Sequence, residues 1–104
     1  MKYKTNKLKK LEMNRVSIFI DDLRLCYFCR QPRQDLHEIL YGTNRKNSMK
    51  YGFVLPLCRN HHNMFHQNHK LTELWSEKCQ KYFERTHTRE DWLDIFHKNY
   101  IQKN

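Results

Sequence analysis

Leu57-Cys58-Arg59-Asn60-His61-His62-Asn63-Met64-Phe65-His66 is the stretch that decides the fold, read together with the upstream pair Cys26-Tyr27-Phe28-Cys29. Cys58 and His61 repeat the two-residue gap between Cys26 and Cys29. Each such knuckle directs two side chains at one point, so two of them can close a tetrahedral Cys₃His zinc site. His62 and His66 are then left over. If the stretch from Cys58 to His69 is helical, residues four apart share a face, and the two imidazoles can meet a second ion. The alternative is a single finger-like site from Cys26, Cys29, His62 and His66, because a His-x₃-His spacing is also a zinc spacing. The gap from Cys29 to His62 is far longer than the roughly twelve residues of a DNA-reading finger. That alternative survives only as a structural zinc.

The 104 residues make one small domain. A domain of this size buries little more than ~60% of its unfolded surface, so a metal staple would help it materially. No apolar leader is visible, and nothing approaches the roughly 18 apolar residues of a membrane span. The expected setting is therefore a reducing cytoplasm with metal-bound thiolates, Cys79 being the odd thiol. The balance of 20 Lys+Arg against 11 Asp+Glu gives a formal charge of +9. A small chain this basic points to a polyanionic partner. A merely solvated surface is the bland alternative. A membrane surface is not expected, because no helix pairs a basic face with a broad apolar one.

Taken in order, residues 1–15 carry six Lys or Arg and one acid, Glu12. The segment has too little apolar surface to order itself and is expected to be a flexible basic arm that adds phosphate contacts. Val16-Ser17-Ile18-Phe19-Ile20 favours a short strand. After the first knuckle, Gln31-Pro32 keeps the turn tight. Leu36 to Tyr41 reads as a second strand, Gly42 to Ser48 as a polar loop, and Tyr51 to Leu57 as the partner strand that delivers Cys58 to its helix. Leu71, Leu74, Trp75, Cys79, Tyr82 and Phe83 recur at helical spacing as one apolar stripe. Thr88 with Asp91 resembles a capping box ahead of Trp92, Ile95, Phe96 and Tyr100. These aromatics read as core packing rather than as a base-stacking platform.

A CxxC pair can be a redox centre, but a thioredoxin-like pair needs a βαβ setting that this chain does not supply. The zinc deaminases carry His-x-Glu followed by Pro-Cys-x-x-Cys. Here His37 and Glu38 are adjacent, Leu57 separates Pro56 from Cys58, and Cys26 and Cys29 would have no role, so that reading is rejected.

Cys26-x-x-Cys29, His37-Glu38-Ile39 and Leu57-Cys58-x-x-His61-His62 together resemble the HNH nucleases, whose ββα-metal motif holds one catalytic ion. The likeness covers Cys26 to His66. The run from His37 through Gly42, Arg45, Ser48 and Tyr51-Gly52 to Pro56-Leu57-Cys58, with the ending Phe96-His97-Lys98-Asn99-Tyr100, more closely resembles small phage-encoded HNH proteins related to the recombination enhancement function nuclease, a likeness that extends over most of the chain after Arg15. This likeness implies an α+β fold: an HNH-like nuclease domain over residues 16–104, with a small treble-clef-like ββα-metal core, a structural zinc and flanking C-terminal helices. It also implies that His37 is the first-strand metal ligand, Glu38 the general base and His62 the helix ligand, with His66 as a third ligand. Cys26, Cys29, Cys58 and His61 take the structural zinc positions, His61 replacing the usual Cys. A phage-encoded protein would work in the host cytoplasm.

Two departures from that pattern matter. Glu38 stands where a histidine usually activates water, and a carboxylate of pKa ~4 is the weaker base unless burial raises it. Alternatively His37 is the base, and the ligands come from the helix alone. Phe53 and its neighbours occupy the stretch of the orienting Asn, for which Asn44 or Asn47 would have to reach in. The expected function is metal-dependent hydrolysis of DNA phosphodiester bonds, as an endonuclease or nickase using Mg²⁺, Mn²⁺ or Zn²⁺. Arg45, Lys46 and Lys50 would hold the DNA backbone. The rivals are a zinc-stapled DNA-binding module without catalysis and a protein-interaction adaptor. The sequence leaves the oligomeric state open.

Overall fold

A computed structural model describes residues 6–101. The elements run α1 (Asn6–Met13), β1 (Asp35–Glu38), a 3₁₀ turn (Gly42–Asn44), α2 (Arg45–Lys50), β2 (Val54–Leu57), α3 (Arg59–Gln67), α4 (His69–Phe83) and α5 (Arg89–Phe96). The result is a small α+β fold in which the two strands pair antiparallel, His37 opposite Leu55 and Glu38 opposite Val54. No described helix is long and apolar enough to cross a membrane.

β2 is buried along its whole length, and Ile39, Leu40 and Phe53 extend the apolar sheet end into the core. Trp92 and Phe96 of α5 close on Phe53 from one side, their ring centroids 6.1 and 5.8 Å from it. Trp75 of α4 receives Phe19 and Tyr27 edge-on at 5.1 and 5.4 Å. The expected aromatic core is thus in place, although Leu74 and Tyr82 of the stripe face solvent. The Thr88–Asp91 capping box forms in both directions. α5 stops at His97, whose left-handed backbone (φ 71°) ends the helix before Tyr100, so Tyr100 packs back as irregular chain rather than as helix.

Three local expectations change. Val16 to Ile20 is not a strand: Ile18 N donates to Gly52 O at 2.9 Å, but no ladder follows. Strand propensity needs a partner edge, and β2 pairs only with β1. Gly52 sits at φ +77°, and a Cβ there would lie 3.1 Å from Ile18 Cγ2, so this close approach requires glycine. The polar loop after Gly42 winds into α2, which tertiary contacts hold. Buried Ser48 accepts from Leu40 N at 3.1 Å and donates to Phe53 O at 2.7 Å, tying the helix to both chain segments at the connecting end of the hairpin. Finally, the basic arm is helical over residues 6–13, while residues 1–5 lie outside the described residues. α1 buries no side chain fully, consistent with its polar composition. It is joined to the domain by ion pairs, Glu12 Oε2 with Arg45 Nη2 at 2.5 Å and the following Arg15 Nη2 with Glu38 Oε1 at 3.0 Å.

Candidate metal centre and histidine cavity

The first knuckle is shaped by backbone bonds. Cys26 N donates to Gln31 O at 2.7 Å and Arg30 N to Cys26 O at 3.0 Å, which bends the chain so that Arg30 takes a positive φ of 64°. The second knuckle is the start of α3, where Cys58 is the N-cap residue and His61 lies in the first turn. The sheet carries one knuckle to the other, because Tyr27 N donates to Pro56 O at 2.8 Å.

The ligand atoms of Cys26, Cys29, Cys58 and His61 all lie within 4.8 Å of one another. A tetrahedral ion with Zn–S and Zn–N bonds of about 2.3 and 2.05 Å spaces its sulfurs ~3.8 Å apart and sulfur from nitrogen ~3.6 Å apart. Here Cys29 Sγ and Cys58 Sγ are 3.8 Å apart, and Cys26 Sγ is 3.5 Å from His61 Nδ1. Cys58 Sγ to His61 Nδ1 is tighter at 3.1 Å. Burial pushes the Cys26 thiol up, but backbone N–H groups of Cys58, Cys29 and Phe28, with the Cys29 side chain, outweigh it and bring the pKa down to about 6. Such a thiol gives up its proton to a metal readily. The donor set fits zinc. It is His61, not His62 or His66, that joins the thiols, so the finger-like alternative is not the arrangement the fold adopts.

His37, His62 and His66 meet on the other side of α3. The ring centroids of His62 and His66 are 4.7 Å apart, those of His37 and His62 5.1 Å, and those of His37 and His66 6.5 Å. All three line a cavity of about 420 Å³ together with Glu38, Tyr41 and Arg45. His37 is the deepest, and its Nε2 is buried without a hydrogen-bond partner. Burial, then His62 and His66, push its pKa down to about 4, so the imidazole is neutral at pH 7. An unpaired buried polar atom costs roughly 1–3 kcal/mol; a ligand on Nε2 would offset that. The three are nevertheless spread more widely than the thiolate group, which is the one set of this kind among the described residues whose ligand atoms lie that close.

Asp35 was not singled out by sequence reasoning, yet its Oδ2 lies 3.1 Å from His62 Nδ1 and 2.9 Å from Arg59 Nε. No spacing rule predicts that pair, since Asp35 and His62 come from different elements. Burial raises the Asp35 carboxyl, but the His62 and Arg59 contacts prevail and hold it below its ordinary value.

Glu38 lies in the cavity wall but is not free there. Its Oε1 accepts from Arg15 Nη2 at 3.0 Å and from Arg45 Nε at 2.7 Å. Arg45 is further held by Glu12. The three expected DNA-binding cations therefore separate: Arg45 faces the histidine cavity, while Lys46 and Lys50 line a different cleft, against α1. Neither expected asparagine reaches the cavity. Asn44 Nδ2 donates to Phe96 O at 3.3 Å, and Asn47 lines the α1 cleft. Of the remaining histidines, His69 is exposed and pairs with Glu73 at 2.7 Å, His87 stacks on Phe83 at 4.2 Å, and His97 ends α5.

The pattern of DUF968, described as a protein of unknown function, matches residues 3–89, and the chain belongs to that family. No curated protein and no solved structure matches it.

Proposed function

We propose that this DUF968 protein is a metal-dependent DNA endonuclease or nickase of the HNH type, with a structural zinc on Cys26, Cys29, Cys58 and His61 and its chemistry in the histidine cavity. One observation supports this above the others: the Nε2 of a neutral His37 is buried without a partner, and the His37 ring lies 5.1 Å from that of His62, whose Nδ1 is held by Asp35. A carboxylate on the far nitrogen fixes the tautomer and ring orientation of a metal-binding histidine. His37 and His62 would hold a divalent ion, with His66 one turn along α3 as a further ligand. That ion, when bound, supplies charge neutralisation at the phosphate and the leaving 3′ oxygen.

The chain's own groups do the rest. Both arginine bonds to Glu38 fall on Oε1; Oε2 takes neither and is the oxygen that would accept the attacking water's proton. Arg45, braced by Glu12 and Glu38, stands in the cavity wall where a phosphate would enter. Phe65 packs against His37 at 4.6 Å and limits water on the inner side.

A second reading is favoured by the double hold on Glu38. A carboxylate engaged by two guanidinium groups also suits a zinc-stapled DNA-binding module that does no chemistry. Nicking of supercoiled plasmid by the intact chain, with Mg²⁺, Mn²⁺ and Zn²⁺ in turn, separates the two. Divalent-metal-dependent nicking that is lost in both His37→Ala and His62→Ala supports the hydrolase. DNA binding with no nicking under any of these metals supports the module.

A further inference from the structure

α2 divides its cations between two sides. Arg45 turns into the histidine cavity, where Glu12 and Glu38 cancel its charge. Lys46 and Lys50, one turn apart, face α1 instead, where Lys7 and Lys10 are likewise one turn apart. These four lysines line a single cleft of about 570 Å³ together with Asn14, Asn47 and the apolar Leu11 and Met49, the Lys50 ammonium lying 5.5 Å from the centre of the Tyr51 ring. No Asp or Glu among the described residues lines it. The one acid of α1, Glu12, points the other way, to Arg45 and Arg15.

Four like charges around one cleft repel one another, and an anion between them replaces that repulsion with attraction. Lysines one turn apart on both walls offer a ladder of point charges rather than one planar fork. Such a ladder follows a string of phosphates without reading bases.

We infer that the cleft between α1 and α2 is a binding site for the phosphodiester backbone of DNA, placed so that the strand passes over α2 toward Arg45 and the histidine cavity. The α1 segment is thus one wall of the substrate site. The identity of the polyanion rests on the hydrolase reading, but the site's existence does not depend on cleavage.

The test uses the full chain without added divalent metal, so that no cleavage enters, and a labelled duplex of about 20 base pairs titrated over a salt series. The variant carries Lys7→Gln, Lys10→Gln, Lys46→Gln and Lys50→Gln, all exposed positions. A control of equal charge carries Lys70→Gln, Lys78→Gln, Lys81→Gln and Lys98→Gln. Zinc content and far-ultraviolet circular dichroism establish that both fold. Every phosphate that a lysine no longer neutralises lowers the slope of log K against log salt by about 0.9, so the slope of the cleft variant should fall by about 3.6, with affinity down at least tenfold, while that of the control falls by less than about one. A cleft variant that binds like the parent, or a control that weakens as much, overturns the inference. So does a poly-glutamate peptide that binds the cleft as tightly as DNA, which would assign it to an acidic protein partner. Cleft-dependent binding by a chain that nicks nothing leaves the inference standing and removes the hydrolase reading. Nicking with unchanged binding by the cleft variant does the reverse.

Discussion

Asp35 Oδ2 and His62 Nδ1 lie 3.1 Å apart, which directs the other imidazole nitrogen of His62 away from the carboxylate and fixes its tautomer. Arg59 holds the same oxygen at 2.9 Å, so the carboxylate is anchored from the turn that also carries His61. The pair links the Cys26–Cys29–Cys58–His61 cluster to the histidine cavity through one helix.

Asp35→Asn should therefore weaken divalent-metal binding at the histidine cavity by about 10–100-fold, the usual loss when such a partner is removed. Zinc at the thiolate site should be unchanged. Titration calorimetry with Mn²⁺ on zinc-loaded protein checks this; unaltered Mn²⁺ affinity would deny Asp35 the orienting role.

Cys26→Ser and His62→Ala should behave differently. Structural zinc sites contribute on the order of 10 kcal/mol to folding, and Cys26 is fully buried. Its replacement should abolish both zinc retention and a cooperative thermal transition. His62→Ala should keep one zinc per chain and unfold cooperatively. Elemental analysis with scanning calorimetry reads both, and equal collapse of the two variants would return the single-site reading.

Glu38→Gln tests the proton acceptor. A glutamine keeps an oxygen for Arg15 and Arg45 but takes no proton from water. Nicking should fall by about 10²–10⁴-fold, the range for a general base, with DNA affinity within about twofold. Full activity would move the base role to His37.

Ser48→Ala removes the donor to Phe53 O and the acceptor for Leu40 N in a fully buried place. Phe53 O keeps its bond from Ile39 N at 3.0 Å, so the cost expected is that of one unpaired group, Leu40 N, about 1–3 kcal/mol. Urea unfolding should show a lower midpoint with an unchanged slope, whereas Ser17→Ala on the half-buried entry segment should cost less.

The sequence by itself determined the features that rest on short spacings. The two knuckles, the Thr88–Asp91 cap and the apolar positions Trp75, Cys79 and Phe83 are each set by neighbours three or four residues apart. Backbone geometry at that range is nearly fixed by residue type. Both hairpin strands were legible for the same reason, although the pairing is shorter than the apolar runs. Only tertiary structure decided the rest. α2 has no apolar period to announce it and is held by Ser48 against residues of the hairpin. Arg45 parts from Lys46 and Lys50 because Glu12 and Glu38, 33 and 7 residues away, claim it. Glu38 is occupied by Arg15 across 23 residues, and Asp35 meets His62 between a strand and a helix. An ion pair between distant residues leaves no period or motif in the chain, because its energy depends on where the folded backbone has carried the two charges.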